Sequence, residues 1–160
     1  MISRPKFSII IPVRNEEEYI SQCLNSLLNQ TYKNFEIIIV DDGSTDNTVN
    51  IIKSYIKRYG KSDKINLILG SKCGPSCARN IGVKHARGEV IVFIDGDNYV
   101  NQKFLEYAFK TFKNKNVAGL SVSVKYSSGE GIWAKMQDAW SSFIYGETTG
   151  LAILYRIEKK

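Results

Sequence analysis

Short apolar runs rich in Ile and Val recur along the first hundred residues, and each is followed by a segment with helical spacing. The runs begin at Phe7, Phe35, Ile65 and Val90. Runs of this length and composition are typical of strands buried on both faces of a parallel sheet. Because strands alternate with helices, the sequence predicts an α/β fold with a Rossmann-like, mostly parallel sheet and helices on both faces. Ligands bind such sheets beyond the carboxyl ends of the strands.

The apolar periodicity also sets the expected bounds of these elements. Strands are predicted over residues 7–12, 35–40, 65–69 and 90–94. Helices are predicted over 16–28, 46–59, 75–87 and 103–112, the second ending at Gly60 and the third at Gly88. Beyond 116 the rhythm is less regular and predicts a strand over 117–125, a loop over 127–131, a helix over 132–145 and a strand over 151–157.

Charge and hydropathy narrow the class of protein. The 160 residues include 22 Lys and Arg against 16 Asp and Glu, a formal charge of +6 that is shared evenly between the two halves of the chain. Basic residues are interleaved with acidic ones, which disfavours nucleic acid as a partner. No apolar run reaches the roughly 20 residues that span a bilayer, and the N-terminus lacks the features of a signal peptide. We therefore expect a cytoplasmic protein, with peripheral association at a membrane surface left open.

The three cysteines, Cys23, Cys73 and Cys77, are an odd number and do not predict a disulfide scaffold. Cys73 and Cys77 could in principle bind zinc, but no further cysteine or clustered histidine completes a set of four ligands. We expect both to be buried or free thiols. The single histidine, His85, lies late in a predicted helix, away from the strand ends, and is not a candidate catalytic residue.

Two acidic clusters follow strongly predicted strands: Asp41-Asp42 after the second, and Asp95-Gly96-Asp97 after the fourth. In a parallel sheet both clusters arrive at the same edge, where carboxylates separated by one residue offer oxygens to Mg²⁺ or Mn²⁺. Asp before Gly or Asn is also favoured in turns, so a single D-x-D pattern has a purely structural alternative. Two clusters at one edge favour a site.

Arg79 is predicted in the first turns of the third helix, where free backbone N–H groups and the helix dipole attract anions. It is either a clamp for a phosphate or one half of a surface ion pair. No G-x-G-x-x-G segment follows the first strand, and no G-x-x-x-x-G-K-[ST] segment occurs in the chain. The sequence therefore disfavours dinucleotide-binding and P-loop proteins.

Five segments in order resemble the family 2 inverting glycosyltransferases. They are residues 7–16, FSIIIPVRNE; 26–32, SLLNQTY; 35–46, FEIIIVDDGSTD; 78–82, ARNIG; and 87–97, RGEVIVFIDGD. The resemblance is tight over 7–100 and looser over 100–157. It implies the GT-A fold of nucleotide-diphospho-sugar transferases, and the transfer of a sugar from a UDP- or GDP-sugar donor with inversion and with Mn²⁺ or Mg²⁺.

The resemblance also implies which residues bind the donor and the metal. The expected donor-binding residues are Pro12, Val13, Arg14, Asn15, Glu16, Val40, Asp42, Arg79, Asp95 and Gly96. The expected metal ligands are Asp95 and Asp97. Pro12, Asn15 and Glu16 would border the nucleoside, and Arg79 would face the phosphates.

The implied roles of the acidic residues differ from one another. Asp42 would form a hydrogen bond with the base, which Val40 would flank. Asp95 would contact the ribose or a metal-bound water, and Asp97 would bind the metal itself. Arg14 departs from the family pattern, because many relatives have an aromatic residue there; it predicts a cation over the base or a phosphate contact.

An inverting transfer needs a general base that deprotonates the acceptor hydroxyl. In the resembling family this carboxylate lies in the acceptor-binding half, and we expect it beyond Lys160. Asp138 and Glu147 are acids in the right part of the chain, but neither lies in a family-like motif. The expected organisation is a nucleotide-sugar-binding domain over 1–116 and, over 117–160, the truncated start of a region for a carbohydrate or lipid-phosphate acceptor.

Two other classes of protein remain open at this point. A binding-only or regulatory domain would keep the fold without turnover and would leave a bound donor intact. A phosphoacceptor signalling domain also has Asp-Asp after one strand and a further Asp after a later strand. It would need a Lys after a fifth strand, and Lys125 is a poor candidate for that position.

Overall fold

A computed structural model describes residues 6–59, 64–123, 125–126 and 151–156. Its strands are β1 (Phe7–Val13), β2 (Phe35–Asp41), β3 (Ile65–Leu69), β4 (Val90–Phe93), β5 (Asn98–Tyr99), β6 (Gly119–Ser123), β7 (Lys125–Tyr126) and β8 (Leu151–Arg156). Its helices are α1 (Ile20–Leu28), α2 (Thr48–Tyr59), α3 (Pro75–His85) and α4 (Phe104–Phe112).

The main sheet has six strands in the order β3-β2-β1-β4-β8-β6. Strands β1 to β4 are parallel, and β1 lies between β2 and β4 with Phe7 opposite both Phe35 and Val90. Strand β8 is antiparallel to β4 and β6. The short strands β5 and β7 form a separate antiparallel pair. The predicted mostly parallel sheet is therefore confirmed, with one antiparallel strand where the sequence rhythm is less regular.

Helices cover both faces of the sheet, as predicted. On one face, isoleucines of β1 and β2 pack with α1, α2 and α4 in the larger core. On the other face, Ile38 and Val40 of β2 pack against Ala78 of α3. Gly82 lets α3 approach β1 closely, because a Cβ at this position would collide with the Ile10 side chain. A side chain at Gly82 would push α3 away from the sheet.

The amino ends of β1, β2 and β4 are joined by a buried polar network around Glu36. Its carboxylate accepts hydrogen bonds from the Ser8 hydroxyl (2.6 Å), the Arg87 backbone N–H (2.7 Å) and the Arg87 guanidinium (2.8 Å). The Ser8 hydroxyl in turn accepts a hydrogen bond from the Gly88 N–H (2.8 Å). The buried carboxylate and the hydroxyl are both satisfied, which is the condition under which such groups are tolerated in a core.

Some element bounds differ from the predicted ones. Helix α1 begins at Ile20 and not at Glu16, because residues 16–19 form a turn closed by a hydrogen bond from the Tyr19 N–H to the Glu16 carbonyl (3.1 Å). The sequence does not predict the two-residue strand β5, which is too short to give a periodic signal. The other main elements lie within two residues of their predicted bounds.

Several expectations fall outside the described residues: the helix stop at Gly60, the loop over 127–131 and the helix over 132–145. The division at residue 116 stays a prediction; β6 and β8, which follow it, are strands of the main sheet. Within the described ranges, no helix combines the length and apolar character needed to cross a bilayer.

The expectation that Cys73 and Cys77 are thiols is wrong, because the two residues form a disulfide with Cα atoms 5.6 Å apart. An odd count leaves one cysteine unpaired but permits one bridge, and Cys23 is the free, buried residue. Cys73 precedes α3 and Cys77 lies in its first turn. This arrangement brings the two backbones within the separation that a disulfide spans, and a count of cysteines does not reveal it.

Candidate functional site

A cleft opens at the carboxyl edge of the sheet, next to the ends of β1 and β4. The chain continues from β1 to β2 on one side, whereas β4 lies on the other side of β1. Such a reversal of strand order is where open α/β sheets bind ligands. The cleft has a volume of about 470 Å³, within the range of small-molecule pockets. Its walls are formed by Pro12, Val13, Arg14, Glu16, Asp42, Pro75, Arg79, Asp95, Gly96 and Asp97.

Most of the residues proposed for donor and metal binding meet in this cleft, but two do not line it. Val40 is fully buried on the α3 face of the sheet, and the Asn15 side chain bonds a neighbouring loop. Pro75 lines the cleft and is absent from the proposed set. Its signal in the sequence is the Gly-Pro pair, since proline favours the first position of a helix.

Asn15 joins the loop after β1 to the loop after β2. Its side-chain oxygen accepts a hydrogen bond from the Thr45 N–H (2.8 Å), and its own N–H donates to the Ser44 hydroxyl (3.0 Å). The backbone of Asn15 has a φ of 56°, in the left-handed region that Asn tolerates better than most residues. Asn15 therefore stabilises the cleft wall by joining the two loops, although it does not itself line the cleft.

A second set of hydrogen bonds continues this connection toward the start of α2. The Glu16 N–H donates to the Thr48 hydroxyl (2.8 Å), and the Glu17 N–H donates to the Asp46 carboxylate (3.1 Å). The Glu17 carboxylate accepts in return from the Asn47 N–H (2.8 Å). The position of Glu16 in the cleft is thus set by the loop that follows β2.

Asp41 and Asp42 are both buried at the end of β2, and they have different partners. The Asp41 carboxylate accepts hydrogen bonds from N–H groups of the turn that follows it. The Asp42 carboxylate reaches the next crossover, where Oδ1 accepts from the Cys73 N–H (2.7 Å) and Oδ2 from the Gly74 N–H (2.8 Å). Asp42 thereby fixes the segment that leads into α3. Each oxygen of the Asp42 carboxylate accepts one of these bonds and keeps a lone pair for a further donor.

Arg79 lies at the cleft wall and donates a hydrogen bond from Nη2 to Oδ1 of Asp95 (2.6 Å). The sequence left Arg79 as either a phosphate clamp or one half of a surface ion pair. In the structure it forms an ion pair, and both members of the pair line the cleft. The side chains are 33% and 48% exposed, so both remain accessible to a ligand. A guanidinium has five N–H donors, and the contact with Asp95 leaves several of them available.

Three carboxylates, those of Glu16, Asp95 and Asp97, lie close enough at the cleft to repel one another. Burial, followed by the charges of Asp97, Asp95 and Asp46, raises the pKa of Glu16 to about 7. Burial and then the charge of Asp95 raise the pKa of Asp97 above its usual range. Both groups resist ionisation, which is the behaviour of carboxylates that lack a compensating cation.

The residues present fit a divalent cation held partly by a ligand. Oδ1 of Asp97 is buried and has no hydrogen-bond partner among the described residues. Gly96 keeps the turn close to the β1 loop, since a Cβ there would lie 3.0 Å from Val13 and 3.2 Å from Glu16. No group of three or more metal-ligating side chains occurs in the described ranges. Mg²⁺ and Mn²⁺ do not require one, because they are commonly held by one or two carboxylates together with substrate phosphates.

The parallel strands, the antiparallel β8 and the cleft at the reversal of strand order are those of the GT-A fold. Residues 8–157 match the sequence model of glycosyl transferase family 2. The chain belongs to this family, and the resemblance noted in the sequence is confirmed.

Two bacterial glycosyltransferases are similar to most of this chain. It is 35% identical over 129 residues to the poly(ribitol-phosphate) beta-N-acetylglucosaminyltransferase TarS of Staphylococcus aureus, which covers 79% of this chain and 22% of TarS. It is 39% identical over 130 residues to a poly(ribitol-phosphate) beta-glucosyltransferase of Bacillus spizizenii, covering 79% of this chain and 20% of that protein. The chain thus spans about a fifth of the length of these two relatives.

Solved structures of relatives have the same fold. The crystal structure of S. aureus TarS 1-349 in complex with UDP-GlcNAc has a TM-score of 0.70 at 29% identity, covering 94% of this chain and 45% of that one. Its complex with UDP has a TM-score of 0.67 at 34% identity, covering 79% and 38%. A mannosyltransferase of Pyrobaculum calidifontis has a TM-score of 0.72 at 24% identity, covering 97% and 45%, and supports the fold alone.

Proposed function

We propose that this chain is the donor-binding part of a metal-dependent glycosyltransferase that acts with inversion. The donor is a UDP- or GDP-sugar, and the acceptor is a hydroxyl group of a carbohydrate or lipid-phosphate. The observation that carries the proposal is the cleft itself, in which Asp42, Arg79 and Asp97 meet where the strand order reverses. A cytoplasmic location, peripheral to a membrane, is part of the same proposal.

The nucleotide end of the donor is proposed to lie between the ends of β1 and β2. The Asp42 carboxylate is fixed there by two backbone N–H groups and keeps acceptor capacity. A carboxylate in this position accepts the ring N–H of uracil or guanine. UDP is our first choice, because TarS, at 34% identity, is a relative with a crystal structure that contains UDP. Arg14, exposed at the rim, is proposed to contact the base or a phosphate.

The diphosphate end is proposed to lie between Arg79 and the turn that carries Asp95 and Asp97. Arg79 supplies the positive charge that a leaving nucleoside diphosphate needs, in a partly buried setting where it acts strongly. Asp97, through its unpartnered oxygen, and Asp95 would hold the divalent cation, which when bound neutralises further charge on the diphosphate. The short turn at Gly96 keeps these carboxylates beside Glu16 and Val13.

The general base stays a prediction. A single displacement with inversion needs a group that takes the proton of the acceptor hydroxyl as the anomeric carbon is attacked. We propose that a carboxylate of the acceptor-binding half has this role. Asp138 and Glu147, which were considered for it, lie outside the described residues.

The proposal is tested by thermal unfolding of the chain with UDP, GDP, CDP and TDP, each with and without Mn²⁺. Ligand at about one hundred times its Kd stabilises a protein by about 2.7 kcal/mol, so we expect UDP with Mn²⁺ to raise the Tm by several degrees. Asp97→Asn should remove the Mn²⁺-dependent part of the shift. Glu106→Gln, on the exposed surface of α4, is the matched control and should retain it.

The outcomes separate the alternatives. A Tm that no nucleotide changes contradicts donor binding, and an unchanged Mn²⁺-dependent shift in Asp97→Asn contradicts the metal assignment. Loss of UDP-GlcNAc over time in the presence of the whole enzyme supports turnover. Binding of the donor with no turnover by the whole enzyme supports the binding-only domain.

A further inference from the structure

We infer that Cys73 and Cys77 form a thiol–disulfide exchange site that controls the order of the donor cleft, with a low-molecular-weight thiol and its disulfide as the reactants. The pair lies at the junction of the segment 70–74 and helix α3. The effect on nucleotide affinity rests on the proposed function, whereas the exchange site rests on the geometry of the pair and its neighbours.

The bridge is accessible to a small reactant. Cys73 is exposed and Cys77 is half-buried, and their Cα separation of 5.6 Å is one that a disulfide closes without moving the backbone. Exposed disulfides exchange with small thiols more readily than buried ones and are the regulatory type. Cys23 is fully buried, and its burial raises the pKa of its thiol, so it does not compete for the reactant.

The bridge connects two parts of the cleft wall. On one side, the N–H groups of Cys73 and Gly74 are the donors that hold the Asp42 carboxylate. On the other side, Cys77 lies in the first turn of α3, between the two cleft residues Pro75 and Arg79. The disulfide therefore ties the partners of Asp42 to the helix that carries the cleft arginine.

Around Gly74 this segment has little packing and an unusual backbone conformation. Lys72 has a φ of 58° and Gly74 a φ of 89°, both in the left-handed region. A Cβ at Gly74 would have no heavy atom within 4 Å, so this part of the backbone is not packed against the core. Besides the bridge, four hydrogen bonds restrain the segment. Two are the bonds to Asp42. In the others, the Gly70 N–H donates to the Asp41 carbonyl (2.7 Å) and the Gly74 carbonyl accepts from the Ala78 N–H (3.0 Å). Loss of the bridge should lower the fraction of molecules in which the cleft wall is ordered, and the apparent affinity falls by that fraction.

Opening the Cys73–Cys77 bridge is a two-electron reduction of the protein by two molecules of the small thiol. A small thiolate attacks the exposed Cys73 sulfur, the Cys73–Cys77 bond breaks, and Cys77 leaves as a thiolate that takes a proton from solvent. A second small thiolate attacks the mixed disulfide. It releases Cys73, which is also protonated, and the small-molecule disulfide is the oxidised product. The reverse reaction restores the bridge.

The test uses the 160-residue chain equilibrated with either reduced or oxidised glutathione. Thiols are alkylated and located by mass spectrometry, amide hydrogen exchange is followed over 70–79, and UDP affinity is measured by calorimetry with Mn²⁺. We expect the bridge under oxidising conditions, faster exchange of the Cys73 and Gly74 amides after reduction, and a Kd for UDP that rises about threefold to tenfold. The double variant Cys73→Ser/Cys77→Ser should match the reduced chain and should not respond to glutathione.

Two results would overturn the inference. The first is two alkylated thiols at Cys73 and Cys77 under oxidising conditions. The second is a bridge that forms while amide exchange and UDP affinity stay the same in both states. A third result separates the two proposals. If UDP binds neither the oxidised nor the reduced chain, while amide hydrogen exchange over 70–79 still depends on glutathione, the proposed function fails. Control of the segment by the cysteine pair then stands.

Discussion

The two edges of the sheet both bury carboxylates, and their surroundings differ. At the amino edge, Glu36 has hydrogen bonds from Ser8 and Arg87 and has a side chain only 7% exposed. At the carboxyl edge, Asp97 has a buried oxygen without a partner in the described part of the chain, and the pKa of Glu16 is raised to about 7. At the amino ends of the strands the buried carboxylate of Glu36 has hydrogen-bond partners. At the carboxyl ends a buried oxygen of Asp97 has none among the described residues. The first contributes to stability, and the second is suited to a ligand.

The two arginines at these edges show the same contrast. Arg87 binds Glu36 through two guanidinium nitrogens and its own backbone N–H. Arg79 makes one short contact to Asp95 and is otherwise open to the cleft. Paired donors fix a carboxylate in one geometry, whereas a single contact leaves donors for an incoming anion. The number of contacts at each edge therefore distinguishes a structural ion pair from one that a diphosphate would join.

The largest effect is expected at the amino edge. Glu36→Gln should lower the free energy of unfolding by about 2 kcal/mol, because it removes the charge of a buried carboxylate that Ser8 and Arg87 hold by hydrogen bonds, whereas the Arg87 side chain left behind is itself exposed. Urea unfolding measures this change. Glu106→Gln weakens the exposed contacts with Lys110 and Thr31 and should change stability by less than about 1 kcal/mol. A loss in Glu36→Gln no greater than in that control would contradict the assignment of the amino edge to stability.

A smaller effect on the free energy of unfolding is expected at the carboxyl edge, where pH changes the charge of a partly buried carboxyl group. Glu16 has an unfolded pKa near 4.5 and a folded pKa of about 7, so the folded chain binds more protons between these values. The free energy of unfolding should therefore fall as pH rises from 4.5 to 7, by about 1 kcal/mol after allowing for the half-exposed side chain.

Glu16→Gln tests the source of this pH dependence, because it should remove the fall between pH 5 and pH 7.5 in urea titrations without metal. Glu18→Gln, at an exposed neighbouring position, should retain it. A difference between Glu16→Gln and the parent chain that does not change with pH would show that Glu16 is not the group responsible.

The smallest effect expected is a gain in stability. Asp97→Asn in the ligand-free chain removes a charge that burial and Asp95 disfavour, so the free energy of unfolding at pH 8 should stay equal or rise by up to about 1 kcal/mol. The sign is opposite to that of Glu36→Gln. Thermal unfolding without metal or nucleotide measures it. A loss of more than 1 kcal/mol would mean that Asp97 supports the fold, and the contrast between the edges would not hold.

The sequence predicts the parallel strands well because their apolar runs are local and nearly continuous. It predicts the cleft for a related reason: in a parallel sheet the residues after β1 and β4 must meet, so Glu16, Asp95 and Asp97 are brought together by topology. Val40 shows the limit of the resemblance. It precedes the two cleft-edge acids, but strand alternation places it with Ile38 on the α3 face.

What the sequence does not reveal depends on contacts between loops. The hydrogen bond of Asn15 to Thr45 joins residues 30 positions apart, and no local pattern indicates it. The Cys73–Cys77 bridge depends on how the chain turns into α3, and the number of cysteines carries no information on that turn. Short polar contacts across loops are set by tertiary structure, which periodicity does not report.

The hydrogen bonds between the loops after β1 and β2 also have a kinetic consequence. Those of Asn15 and Glu16 span 29 to 32 positions, so they form only once β1 and β2 have paired. Contacts made after the rate-limiting step slow unfolding and leave the folding rate unchanged. We therefore expect UDP with Mn²⁺ to lengthen the lifetime of the folded chain without speeding its refolding, and stopped-flow refolding that accelerates with nucleotide would contradict this order of events.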